Sequence, residues 1–272
     1  MRLLIATGGA PHSNLAVRLG AYLAHTTGKA PTILTVIRHE SDRPHGEAVL
    51  ARTRLLLEAS VAEVRTRLRV GHPAEEIVAE AVAGRYDIIL LGDKHAHDLV
   101  TRLLGSTVKK VLEQAPCPVI IAKGKVGPVR RILLCDSGAE SVSLLDRFTT
   151  RLASLARDPG ITVLHVMSQI SAGPGVVGRQ LRADAEELMR EHTPEGTLLE
   201  RDVQILERLN LHPDTKVRHG FVVTEIINEA RAGDYDLIVI GAHRGKGWQR
   251  FLLEDLAFQI IMHADRPVLV LR

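Results

Sequence analysis

Hydrophobic positions along the chain follow two rhythms. Short, nearly unbroken aliphatic runs recur at Leu3 to Ala6, Thr32 to Ile37, Asp87 to Leu91 and Val119 to Ala122, and Arg67 to Val70 reads as a further short strand. Runs of this length without polar alternation predict strands covered on both faces, as in a parallel sheet. Between them the apolar residues spread to helical spacing. Ser13 is expected to cap a helix with Leu15, Leu19, Tyr22 and Leu23 on one face. Ala48 to Val64 reads as a second helix. Pro73 opens a third over Ala74 to Ala83, which Gly84 closes, and Ser106 to Gln114 forms a fourth. The rhythm returns with strands near 131–135, 161–167, 215–219, 236–240 and 267–271, and with helical patterns over Arg179 to Glu191 and Leu198 to Leu209. Alternating strands and helices of this kind predict the α/β class, with doubly wound parallel sheets.

The second half of the chain is a copy of the first. Thr66 to Gly92 and Thr215 to Gly241 align without a gap at an offset of 149, with thirteen of 27 positions identical. The identities include Arg69, Gly71, Glu76, Glu80, Gly84, Tyr86, Asp87 and Gly92. The same offset places Ala115 to Ile120 against Ala264 to Leu269, and Leu3 to Ser13 resembles Ile132 to Ser141. A period this long exceeds that of solenoid repeats and indicates a duplicated domain. The Gly124 to Pro128 segment is punctuated by glycine and proline, so the halves are read as 1–124 and 129–272, with a helical insertion in the second at about 170–210.

Composition narrows the function classes. Of 272 residues only 3% are aromatic, too few to build stacking platforms for single-stranded nucleic acid. A formal charge of +3 is too small for a DNA-binding stripe but does not repel anionic small molecules. No apolar run reaches the roughly 18 residues of a membrane span. The expectation is therefore no nucleic acid and no membrane. Cys117 and Cys135 suit a reducing compartment, and the N-terminal run reads as a first strand, not a secretion signal, so the expected location is the cytoplasm.

In a doubly wound sheet, ligands sit beyond the carboxyl ends of strands, where the strand order reverses. The loops after strands one and four are thus the candidates: Thr7 to Ser13, and Gly92 to Asp98 leading to Gly105, Ser106 and Thr107. Two readings stand at the second. Gly105 admits a phosphate to the backbone, and a helix start with hydroxyls supplies donors; or the pair Gly105-Ser106 is a turn with an N-cap. Other motifs are weaker. Gly173 to Gly178 fits G-x-G-x-x-G but does not directly follow a strand, Gly245-Lys246-Gly247 lacks the P-loop spacing, and His95 with His97 has no third metal ligand in sight. Trp248 among Arg244, Lys246 and Arg250 reads as a basic loop that either packs on the protein or anchors a partner.

At this point the motifs converge. The chain resembles a tandem universal stress protein. That family's nucleotide signature is Gly, two residues, Gly, nine residues, Gly, then Ser or Thr. Gly92, Gly105 and Ser106 stand at this spacing, with His95 at the second glycine. Ala6 to Gly9 resembles the family's first strand and turn, with Gly8 at the usual Asp, and Ala115 to Ile121 resembles its last junction. The resemblance implies an adenine nucleotide alpha hydrolase-like fold, with two five-stranded parallel sheets in the order 3-2-1-4-5. It also implies pairing of the last strands, Val119 to Ala122 beside Val268 to Leu271.

As ligand the resemblance implies ATP or AMP, with Mg. Thr7, Gly8, Gly9 and Val36 would face base and ribose. Gly92, Asp93, His95, Gly105, Ser106 and Thr107 would face the phosphates. In the second half Arg244 replaces the second glycine and Glu254-Asp255 replaces Gly105-Ser106, while Asp136 is kept. A carboxylate at a helix start would take the place of a phosphate, so that half is expected to be degenerate. The implied protein is a cytoplasmic stress-response nucleotide binder without catalytic turnover. The alternative is an interaction module acting through the 170–210 helices and the Trp248 loop, with a protein partner or a second copy of the chain. Weak ATP hydrolysis is a third reading, for which no general base stands out.

Overall fold

The computed structural model describes residues 1–93, 105–135, 155, 159–167, 183–241 and 248–271, with side chains left aside over 248–255. The chain divides into two units. The first comprises Met1–Pro128 with Ala264–Val270 and Arg272, the second Val129–His263 with Leu271.

Unit one runs β1 (Leu3–Ala6), α1 (Ser13–Thr27), β2 (Thr32–Ile37), α2 (Arg43–Glu58), β3 (Arg65–Val70), α3 (Pro73–Gly84), β4 (Ile88–Gly92), α4 (Ser106–Gln114) and β5 (Val119–Ala122). The strands lie in the order β3-β2-β1-β4-β5, all parallel. β1 and β5 are buried at every position, as a strand covered on both faces must be. β3 is an edge, and its exposed Arg65 and Arg67 and the half-exposed Arg69 make it a poor template for further pairing. A further strand, β10 (Val268–Leu271), runs antiparallel to β5, with Val268 opposite Ile121 and Val270 opposite Val119. This pairing is why 264–270 counts with the first unit, where the sequence reading put the boundary at 129.

Unit two repeats the plan with β6 (Arg131–Cys135), β7 (Gly160–Met167), α5 (Ala185–Arg190), α6 (Pro194–Glu207), β8 (Asp214–His219), α7 (Val222–Ala232), β9 (Leu237–Gly241) and α8 (Trp248–His263). Its strands stand β8-β7-β6-β9, again parallel. Both insertion helices form, but α6 starts at Pro194, four residues before the expected start. Thr193 is the reason: its hydroxyl accepts from Gly196 N–H at 3.0 Å, and Pro194 suits the first turn. α5 packs through Leu188 onto Met167 and Val217. Residues 179–182 lie outside the described residues.

Two further boundaries differ from the sequence reading. α2 begins at Arg43, where Pro44 sits in the first turn behind a 3-10 turn at Glu40–Asp42, and ends at Glu58 as Val61 N–H turns back to Leu57 O. Ser13 does not cap α1. The N-cap is His12, and the Ser13 hydroxyl donates instead to Ala10 O at 2.7 Å.

The repeat's identical residues build the same scaffold twice. Arg69 bonds Glu76 (2.5 Å) and Glu80 (3.0 Å), and Tyr86 donates to Glu80 at 3.2 Å. In unit two Arg218 bonds Glu225 (3.3 Å) and Glu229 (2.7 Å), and Tyr235 donates to Glu229 at 3.3 Å. Lys216 adds a 2.8 Å bond to Glu229. Burial alone would raise the Glu229 carboxyl, but the bonds from Lys216 and Arg218 hold it below its ordinary range. Asp87 accepts from Arg2 N–H and Asp236 from Arg131 N–H, tying the first and fourth strands of each unit. Among the described residues no helix is long and apolar enough to cross a membrane.

Candidate functional site

In unit one the connections from β1 and β4 leave on opposite sides of the sheet, so a crevice opens at their carboxyl ends. A cavity of ≈ 490 Å³ occupies it. Ala6, Thr7 and Gly8 form its floor beside Leu91 and Gly92. Leu34 and Val36 of β2, with Pro73 and Ile77 of α3, make one wall apolar. His12 and Ser13 stand at the start of α1, and Gly105, Ser106, Thr107 and Val108 form the start of α4.

The floor is held by a chain of hydrogen bonds. Gly9 N–H donates to Thr7 Oγ1 at 3.2 Å, Thr7 Oγ1 donates to Ser13 Oγ at 2.9 Å, and Ser13 passes the chain to Ala10 O. Thr35 Oγ1 donates to Thr7 O at 3.0 Å, fixing the strand end from the other side. Chained bonds of this kind polarise one another and stiffen the loop. Gly92 lies so close to the first turn of α1 that a Cβ there would sit 2.2 Å from His12 O. This glycine serves the packing of helix on strand.

The two helix starts differ. In α1 the N–H groups of Ser13, Asn14 and Leu15 are taken by Ala10, Pro11 and His12 carbonyls at 3.0, 3.2 and 3.3 Å. In α4 the first bond is Lys109 N–H to Gly105 O, so Ser106, Thr107 and Val108 keep their N–H groups without a partner among the described residues. Gly105 is the N-cap and has no side chain to take them up. Three unpaired donors therefore begin a helix that opens on the cavity, an arrangement suited to an anion.

Of the residues singled out in the sequence, the structure brings Thr7, Gly8, Val36, Gly92, Gly105, Ser106 and Thr107 around one cavity. Gly9 and Asp93 are not among its lining residues. Asp93 is buried and faces Lys123, with Nζ to Oδ2 at 3.4 Å. His95 lies outside the described residues, as do Asp136, Arg244, Lys246 and the Gly173 to Gly178 motif. His12 and Ser13 belong to the loop the sequence reading had marked, while it missed Ala6, Leu34, Leu91, Pro73, Ile77 and Val108. The i, i+4 spacing of Pro73 and Ile77 and the alternation of Leu34 with Val36 were signals that could have found the apolar wall.

In unit two the expectation of a carboxylate at a helix start is corrected. α8 begins at Trp248, so Glu254 and Asp255 lie in its second turn, where N–H groups are taken within the helix. Trp248 likewise opens a helix and is not in a loop. A second cavity, of ≈ 600 Å³, runs along β8, but its Lys216, Arg218, Glu225 and Glu229 already pair with one another. Among the described residues no group of three His, Cys, Asp or Glu side chains could hold a metal ion.

Comparison with known proteins adds a family to this geometry. The sequence model described as "Universal stress protein family" matches residues 1–123 and again 128–272. A universal stress protein of Methanocaldococcus jannaschii is 31% identical over 81 residues, which are 30% of this chain and 48% of that protein. The chain thus spans about half the length of this curated relative. Among solved structures, a universal stress protein from Archaeoglobus fulgidus aligns over 99% of this chain and 95% of its own, with a TM-score of 0.71 at 18% identity. A functionally unknown Pseudomonas aeruginosa protein aligns over 99% and 92%, with a TM-score of 0.72 at 19% identity. At these identities the likeness establishes the fold.

Proposed function

Because the chain belongs to the universal stress protein family in both of its halves, we propose that it is a stress-response protein whose first unit binds an adenine nucleotide. The observation that carries this reading is the crevice at the ends of β1 and β4, apolar on the β2 and α3 side and lined with free backbone donors at the start of α4. A base fits against Leu34, Val36 and Ile77, and a phosphate against Gly105, Ser106 and Thr107. The ligand bridges these walls over the Thr7 and Gly8 floor. Binding without turnover is part of the proposal: the cavity's described lining holds no carboxylate to activate a water.

The second unit is proposed to have lost this use. Its α8 runs through the positions that match Gly105 and Ser106, so the backbone there offers no unpaired donors, and Glu254 and Asp255 add negative charge.

The test is direct. Purified protein is denatured and the supernatant examined by mass spectrometry for adenine nucleotide, and the intact protein is melted with and without added nucleotide. Released nucleotide, or a rise in melting temperature, is expected. Ser106→Glu should abolish that rise without lowering the melting temperature of the free protein, because an acidic residue in the first helical turn favours the helix dipole by roughly 0.3–1 kcal/mol. An unchanged rise in the variant removes α4 from the site. No nucleotide in any of these measurements favours the interaction module.

A further inference from the structure

We infer that the backbone carbonyl of Gly8 reads the sugar hydroxyls of the nucleotide in the unit-one cleft, and that the buried hydroxyls of Thr7 and Ser13 aim it. This rests on the nucleotide reading above, which lays the ligand between the apolar wall and the start of α4 and so sets its sugar over Gly8.

The bonds below the floor come first. A carbonyl oxygen only accepts and a backbone N–H only donates, so the chain between Ala10 O and Gly9 N–H has one direction. Ser13 Oγ donates to Ala10 O, Thr7 Oγ1 donates to Ser13 Oγ, and Gly9 N–H donates to Thr7 Oγ1. Each hydroxyl thus commits its one proton inside the protein, where both residues are buried. Thr7 is also fixed along its backbone, by its N–H to Leu34 O at 2.9 Å and by Thr35 Oγ1 to its own carbonyl at 3.0 Å.

This chain sets one peptide plane. The bond between Gly8 and Gly9 is trans, so its N–H and its C=O point in opposite directions. With Gly9 N–H turned down to the Thr7 hydroxyl, the Gly8 oxygen is turned away from the buried side. Gly9 is seated from the other flank as well: its φ is 78°, and a Cβ there would lie 2.7 Å from Val49 Cγ2 of α2. Gly8 itself is exposed and lines the cavity, and a Cβ on it would meet nothing within 4 Å. Space for a sugar and an acceptor for its hydroxyls therefore coincide at one residue. Thr7 and Ser13 are positioning residues, which act on the ligand through the Gly8 carbonyl.

The test is isothermal titration of the full-length protein with AMP and ATP, each beside its 2′,3′-dideoxy form. In the parent, the dideoxy form is expected to bind about fivefold more weakly than the ribonucleotide, the size of one net hydrogen bond. Thr7→Val keeps the shape of the side chain and removes its hydroxyl. There the ribonucleotide should weaken to the level of the dideoxy form, whose own Kd is unchanged. Thr7→Ser should restore the difference. Should Thr7→Val fail to fold, Ser13→Ala carries the same comparison, because it takes away the acceptor that orients the Thr7 hydroxyl. Equal affinity for the two forms in the parent overturns the inference and leaves the nucleotide reading intact. So does a sugar preference that survives in the folded variant. Binding of neither form by the parent, with no thermal shift, overturns both.

Discussion

At the scale of single residues, two glycines of one sequence motif prove to have different reasons to be glycine. Gly92 is demanded by the protein itself, since a methyl group there would press on the His12 carbonyl. Gly105 is not: its φ of −55° and ψ of 141° suit any residue, and nothing lies within 4 Å of an added Cβ. Gly92→Ala is thus expected to cost about 1–3 kcal/mol in an unfolding titration, as overpacking does. Gly105→Ala should stay within roughly 0.5 kcal/mol of the parent. If a phosphate approaches the backbone there, the same variant should weaken nucleotide binding about tenfold, or roughly 1.4 kcal/mol. A Gly105→Ala protein with parental stability and parental affinity would leave the glycine without a role. Spacing made both residues visible in the sequence but could not separate their roles, because the partner of Gly92 is a carbonyl some eighty residues away in the chain. The Ser13 hydroxyl shows the same blindness. It looks like a cap in sequence, and only the folded loop shows Thr7 and Ala10 claiming it.

At the scale of elements, the aliphatic runs located the buried strands, since burial on both faces leaves little choice of residue, whereas β3 and β8 alternate polar with apolar residues and are largely exposed. Helix starts were less legible, because they depend on local bonds more than on apolar period. α6 illustrates this. Its apolar pattern points to Leu198, but the helix begins where Thr193 meets Gly196 N–H. Thr193 is buried, and its hydroxyl also donates to Leu188 O at 3.2 Å, joining α5 to α6. Thr193→Ala should therefore lower stability by about 1 kcal/mol, near the middle of the range for a lost cap. Thr193→Ser, which keeps the hydroxyl, should recover most of it. Equal losses in the two variants would assign the effect to the methyl group's packing instead. The start of α8 bears on the function proposed for the second unit. The alignment placed Glu254 and Asp255 opposite a helix start, yet in unit two the helix begins at Trp248. The second copy is thus set apart by where its helix begins as well as by its charge.

At the scale of the whole molecule, the duplication explains why the fold was easier to read than the site. Of the thirteen identities between the copies, only Ile77 and Gly92 line the unit-one cavity. Arg69, Glu76, Glu80, Tyr86 and Asp87 are framework, and their counterparts make the same bonds in unit two. What the copies share in this stretch is the machinery that holds β3 to α3 and β8 to α7. The two networks also differ in one measurable way. Lys216 hydrogen-bonds Glu229 at 2.8 Å where its counterpart Arg67 stands 3.9 Å from Glu80, and together with Arg218 it holds the Glu229 carboxyl below its ordinary range against the effect of burial. A carboxyl with a native pKa below its unfolded value stabilises the fold fully above the unfolded value, about 4.3 for glutamate. As the pH falls from there, the unfolded chain takes up the proton first, and the contribution fades until the native carboxyl is protonated as well. Glu229→Gln removes the charge-assisted bonds and should cost about 1–3 kcal/mol at pH 7. Urea titrations from pH 7 to pH 3 should show the gap between parent and variant steady down to about pH 4.3 and narrowing below it. A gap that stays constant through that range would mean that Glu229 contributes by shape and neutral hydrogen bonds, and that its ionised form is not what Lys216 and Arg218 stabilise.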